Sequence, residues 1–118
     1  MLPARHRLRL SADFSSAVRG PGGSRSGGRL IVIHAHRTDT RTDQPPRVGL
    51  VVSKDVGSAV VRTRTKRMLR HQLAARLAGV PAGWDLVVRA NPAASGASSA
   101  ELGLELDRLL PRVLRERR

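Results

Sequence analysis

The apolar residues of this chain change period several times, and each change marks an element. Phe14, Ala17 and Val18 stand at i, i+3 and i+4 behind Ser11, a good N-cap, and Asp13, suited to a first helical turn. That spacing predicts a short helix over about residues 12–19. Residues 29–36 (Arg-Leu-Ile-Val-Ile-His-Ala-His) and 47–53 (Arg-Val-Gly-Leu-Val-Val-Ser) are rich in β-branched side chains and predict two strands. The first apolar stretch can also divide into two strands, and pattern alone does not place the break. Gly49 inside the second strand signals a bulge or a close backbone approach. A long helix is expected from 58 to about 78, ended by Gly79 and Pro81. Residues 84–90 predict another strand, and 91–96 a loop. Ser98 and Glu101 then have capping-box spacing ahead of Leu102, Leu106, Leu109 and Leu110, which recur at helical period. Pro111 is expected to kink or end that helix.

Between these elements the chain is polar. Residues 1–10 predict a flexible basic arm. Residues 20–28 hold five glycines and predict a mobile loop, as do 37–46 with Pro45 and Pro46. The order of helix, two or three strands, helix, strand, helix predicts a single α+β domain over 1–118, a sandwich with one sheet. A strand on each side of the long helix points to a crossover that pairs them in parallel. Such crossovers are ordinarily right-handed.

Charge narrows the function. The 22 Lys and Arg residues against 9 Asp and Glu give +13, which calls for a polyanionic partner. Only Lys54 and Lys66 are lysine. A GC-rich genome explains the preference for Arg over Lys but not the surplus of charge. Nucleic acid fits better than membrane, because no basic helix carries a wide apolar face. The absence of cysteine excludes disulfides and thiolate zinc sites. No apolar run is long enough to span a bilayer, and Arg5, Arg7 and Arg9 interrupt any signal-peptide core, so a cytoplasmic protein is expected. Phe14 and Trp84 are the only aromatics, which leaves core packing to Leu, Val and Ile.

The long helix concentrates the charge. On a wheel of about 100° per residue, Val61, Met68, Leu69 and Leu73 fall within one arc, with Thr65 among them. Arg62, Lys66 and Arg70 form a row at i, i+4 and i+8, and Arg64, Arg67 and His71 lie on the far side. No acid stands between Ser58 and Gly79. A solvated helix face normally mixes signs, because like charges four apart repel by a few tenths of a kcal/mol. Cations near a helix N-terminus also oppose the dipole. The pattern therefore favours contact with nucleic acid over a merely solvated face.

Residues Val48 to Arg70 resemble the signature of the bacterial ribonuclease P protein: Gly49, Val52-Ser53-Lys54, Val56-Gly57, Ala59-Val60 and Arg62-x-Arg64-x-Lys66-Arg67-x-x-Arg70. Thr63 replaces the usual Asn between the two arginines, which keeps a hydroxyl but loses the two-sided hydrogen bonding of an amide. The likeness extends along the chain, through Arg7-Leu8-Arg9 with Asp13-Phe14, then Trp84 to Pro92, then Glu101-Leu102 and the leucine ladder.

The resemblance implies an α-β-β-β-α-β-α sandwich with a left-handed β-α-β crossover, like the second domain of a small-subunit ribosomal protein. It implies three strands before the basic helix. It also implies a subunit of an endoribonuclease that removes the 5′ leader of precursor tRNA. A catalytic RNA and its divalent metal, Mg²⁺, perform the chemistry, and no protein residue is catalytic. By resemblance, Arg62, Arg64 and Arg67 contact the catalytic RNA, and Lys66 and Arg70 line the leader cleft together with Phe14, Val18 and His34. Arg9 and Lys54 are further basic contacts. Phe14 stacks on leader bases in this scheme, or it simply fills the core. Val18 and His34 stand where aromatics are common, so stacking is expected to weaken and phosphate contacts to matter more.

Other readings give other expectations. His34 and His36 share a strand face and could hold a metal, although no third ligand is evident and a plain surface pair explains them. Asp55 could lie near an RNA-bound metal or act as an ordinary partner of the helix dipole. A ribosomal protein would explain the charge but not the signature. A metal-dependent nuclease would use the histidines or scattered acids. A helix-turn-helix DNA binder would need a helix, not strands, before residue 58.

Overall fold

Ile31, Ile33 and Ala35 are fully buried, as are Leu86 and Val88, the alternate-residue spacing that creates one face of a sheet. A computed structural model describes residues 23–37 and 43–114 and arranges them in four strands and two long helices. The strands are β1 (Gly23–Gly27), β2 (Ile31–Arg37), β3 (Arg47–Val51) and β4 (Trp84–Ala90), in the order β1-β2-β4-β3. β2 pairs antiparallel with β1 and β4, and β3 pairs parallel with β4. The connection from β3 to β4 carries helix α1 (Ala59–Ala74), so the expected crossover is present. Helix α2 (Ser99–Val113) follows β4 and packs over β1 and β2, with α1 beside it. The helices and the residues Ile31, Ile33, Leu86 and Val88 enclose a single aliphatic core that also takes in Trp84.

The architecture departs from the expectations at particular points. The glycine-rich stretch was expected to be a loop, but residues 23–27 form β1. Its sequence, Gly-Ser-Arg-Ser-Gly, contains no apolar side chain. An edge strand needs a partner more than a propensity, and β2 supplies five paired positions. The apolar stretch itself does not divide: β2 runs unbroken over Ile31–Arg37, and the extra strand comes from the glycine-rich stretch before it. β3 ends at Val51, two residues short of expectation, and a 3₁₀ turn follows over Lys54–Val56. α1 stops at Ala74, and a separate 3₁₀ turn, Leu77–Gly79, completes the expected span. The loop expected at 91–96 is largely 3₁₀ helix, Pro92–Gly96. Pro111 does not end α2, because it lies within the last turn. Leu114 still donates to the Leu110 carbonyl at 3.1 Å, and Val113 is fully buried. The expected helix at 12–19 and the arm at 1–10 lie outside the described residues, as does much of the loop at 37–46.

A buried carboxylate ties the sheet to α2. Glu105 is 7% exposed and accepts from the backbone N–H of Leu30 at 2.8 Å and of Ile31 at 2.7 Å. Arg108 donates to its other oxygen at 3.0 Å. Gly28 leaves the room for this, since a Cβ there would lie 2.6 Å from the Glu105 carboxyl. The helices also meet closely at Gly103, where a Cβ would come within 2.5 Å of Gln72 Oε1. Beside that contact Gln72 donates to the Ser99 hydroxyl at 2.8 Å, and Arg76 pairs with Asp107 at 2.7 Å. The N-terminus of α2 has the expected capping box, Ser98 accepting from the Glu101 N–H and Glu101 accepting from that of Ser98.

Glu105→Ala would leave two buried amides without acceptors, at roughly 1–3 kcal/mol each. Urea unfolding should show a loss of about 2–5 kcal/mol, with a smaller loss for Glu105→Gln, which keeps one carbonyl oxygen. A loss below about 0.5 kcal/mol for Glu105→Ala would contradict this role.

Candidate nucleic-acid interface

Helix α1 begins at Ser58, whose hydroxyl accepts from the Val61 N–H at 3.3 Å, and its first turn carries no acid. Thr65, Leu69 and Leu73 are buried, and Val61 and Met68 pack partly against the core. This is the arc expected from the sequence. Thr65 fits within it because its hydroxyl donates to the Val61 carbonyl at 2.9 Å, so no polar atom is stranded.

The five cations lie outside that arc, together with Val60, Thr63 and His71. Arg64, Arg67 and Arg70 are exposed, whereas Arg62 and Lys66 are half-buried. Arg62 flanks the apolar stripe, and its Nε is buried without a hydrogen-bond partner. Arg64 donates to the Ser95 carbonyl at 2.8 Å, which fixes its guanidinium against the turn that leads to α2. None of the five forms an ion pair with an acid among the described residues. Ala59, Val60, Thr63, Arg64 and Arg67 line an open depression of ≈ 450 Å³. Val60 is 79% exposed there, an apolar residue among cations at the start of the helix. A larger depression, ≈ 560 Å³, lies between the ends of α1 and α2, but its one arginine, Arg76, is bound to Asp107.

Lys54 is exposed just ahead of α1. Its neighbour Asp55 accepts from the Ser53 hydroxyl, a local contact within the turn. Arg9, Phe14 and Val18 lie outside the described residues.

His34 stands elsewhere. The α1 stripe meets the sheet face that carries Ile31, Ile33 and Ala35, so His34 points from the opposite face. No hydrogen bond or ion pair joins it to Lys66 or Arg70. The strand register assigns its neighbours on that face. His34 lies between Arg25 on β1 and Val87 on β4. His36, one row on, lies beside Asp85, which Arg47 binds with two hydrogen bonds of 2.9 and 2.7 Å. His34 and His36 share the face as expected, and both are half-buried. The Nδ1 of His36 is buried without a partner. Among the described residues no group of three or more His, Asp or Glu side chains could hold a metal ion. Among the same residues no helix is long and apolar enough to cross a membrane.

Sequence reasoning did not find Arg25 or Arg89, both exposed on the His34 face. Only the register reveals them, since Arg25 sits in a glycine-rich stretch with no periodicity. Burial, then the positive charge of Arg25 and of Arg89, lowers the His34 pKa from its ordinary 6.5. The unfolded chain therefore takes up a proton at His34 more readily than the folded one, and stability contributed here falls as pH drops through 6.5. An NMR titration of the imidazole should give a midpoint below 6.5, and Arg25→Ala or Arg89→Ala should move it upward. No movement in either variant would contradict the assigned neighbours.

Residues 2–114 match the Ribonuclease P family. The chain is 54% identical to the ribonuclease P protein component of Acidothermus cellulolyticus, over 96% of this chain and 92% of that one. It is 49% identical to that of Streptomyces griseus, over 97% and 96%. Among solved structures it is similar to the RNase P protein of Thermotoga maritima, with a TM-score of 0.75, 26% identity, and coverage of 92% of this chain and 98% of that one. The Staphylococcus aureus RNase P protein has the same fold, with a TM-score of 0.78 at 23% identity over 93% and 98%. Matched by the family model over residues 2–114 and by relatives nearly end to end, this chain belongs to the ribonuclease P proteins.

Proposed function

We propose that this chain is the RNA-binding subunit of a ribonuclease P, assisting a catalytic RNA in removing the 5′ leader of precursor tRNA. The observation that carries this reading is the face of α1, where Arg62, Arg64, Lys66, Arg67 and Arg70 stand together without a counter-charge among the described residues. A fold gains nothing from like charges gathered on one helix, whereas a phosphate backbone gathers affinity from each. Arg62, Arg64 and Arg67 contact the catalytic RNA in this proposal. Lys66, Arg70 and His34, with Phe14 and Val18, serve the leader, and Arg9 and Lys54 add basic contacts. His34 lies on the other sheet face from α1, so within the leader group it meets a different stretch of RNA from Lys66 and Arg70. The protein supplies binding and orientation. Mg²⁺, held mainly by the RNA, supplies the activated water and charge stabilisation of phosphodiester hydrolysis.

The test is cleavage of precursor tRNA at low magnesium by a bacterial ribonuclease P RNA alone, by the protein alone, and by both. Efficient cleavage at the mature 5′ end only in the mixture is expected. A mixture no better than the RNA alone, with folded protein present, would overturn the subunit reading and leave a general RNA binder. Protein-alone cleavage abolished at His34 or His36 would instead indicate a nuclease.

Arg64→Ala and Arg67→Ala should weaken binding to the catalytic RNA, because both side chains are exposed cations. Each lost phosphate contact should reduce the log–log salt slope by about 0.7–0.9. Filter binding across a potassium chloride series reads this out, and unchanged slopes would exclude these two as phosphate contacts.

A further inference from the structure

Arg25, His34 and Arg89 come from three adjacent strands and share one face of the sheet. Arg25 is directly opposite His34 in the β1–β2 ladder. Arg89 is two residues beyond Val87, the β4 partner of His34, and so is its diagonal neighbour, about 7–8 Å away between Cα positions. Both arginines are exposed, and neither forms an ion pair or side-chain hydrogen bond among the described residues. Asp85, an acid on the same face, is engaged by Arg47 instead. Val32 and Val87 on the same face are buried, at 9% and 2% exposure. β2 separates the two arginines, and an anion lying over it between them would meet both charges.

We infer that Arg25 and Arg89 clamp a backbone phosphate of the single-stranded leader above His34. The inference rests on the leader-binding reading above and adds to it the means of grip. Guanidinium forks suit phosphate oxygens, each able to donate two parallel hydrogen bonds. His34 between them offers an imidazole N–H without adding a third full charge near neutral pH, because its protonation is disfavoured. Leader recognition here is accordingly indifferent to base identity and steep in salt.

The experiment uses the reconstituted protein–RNA enzyme. Affinity for precursor tRNA is compared with affinity for mature tRNA across a potassium chloride series, for the wild type, Arg25→Ala, Arg89→Ala and the double variant. Each single change should cut the precursor preference by about tenfold and lower its salt slope by about 0.7. Arg25→Lys should keep the slope, since it keeps the charge, and circular dichroism of each variant establishes that it is folded. In the wild type, one methylphosphonate in the leader should reproduce the loss, whereas abasic leader nucleotides should cost little. If the wild type prefers the precursor but both alanine variants keep that preference and slope, the clamp is wrong and the leader-binding reading survives. If abasic positions matter and methylphosphonates do not, stacking carries the grip and the clamp is again wrong. No preference for precursor over mature tRNA in the wild type would remove the leader-binding reading and the clamp together.

Discussion

The Glu105 carboxylate beneath the β1–β2 connection is the contact on which the rest of the arrangement depends. The sheet begins β2 with two backbone amides, Leu30 and Ile31, that α2 covers and water cannot reach. Buried donors of this kind need an acceptor, and Glu105 provides one oxygen for both. The geometry then propagates. Gly28 has to lack a side chain, and Asn91 donates to the Gly28 carbonyl at 3.0 Å, which closes the end of β4 onto the same turn. Ser24 donates to the Val113 carbonyl at 2.5 Å, which fastens β1 to the far end of α2. With α2 so placed, Gly103 admits Gln72 and α1 lies against it. The direction in which α1 displays its cations is therefore set from a carboxylate well removed from them in sequence.

Among the described residues four acids serve the fold: Asp85 binds Arg47, Asp107 binds Arg76, Glu105 holds amides and Arg108, and Glu101 caps α2. Each consumes its charge locally. The cations of α1, and Arg25 and Arg89 on the sheet, have no such use within the described residues. Two separate basic surfaces result, one on the helix and one on the opposite sheet face.

Much of the fold is legible in local pattern. The β-branched runs became β2, β3 and β4, and β4 occupies the residues expected of it. Ser58 and Ser98 cap the helices that the leucine and arginine spacings describe. The cationic side of α1 follows from the 3.6-residue period alone, since the apolar arc through Thr65, Leu69 and Leu73 leaves the arginines no other direction. Burial of Thr65 in that arc was visible too, although the hydrogen bond that permits it was not.

What the amino-acid sequence by itself determined is therefore the elements, the charge, and the helix face that carries it, because periodicity, capping and composition act between residues close along the chain. Tertiary structure alone decided the rest. β1 exists only because β2 offers it a ladder, for Gly-Ser-Arg-Ser-Gly has no strand preference to declare. Glu105 reads as one more acid on a helix until α2 lies over the buried amides of Leu30 and Ile31. Arg25 and Arg89, 64 positions apart in the sequence, become neighbours of one histidine through strand register. Register and burial depend on which distant strands meet, and no local spacing encodes that meeting.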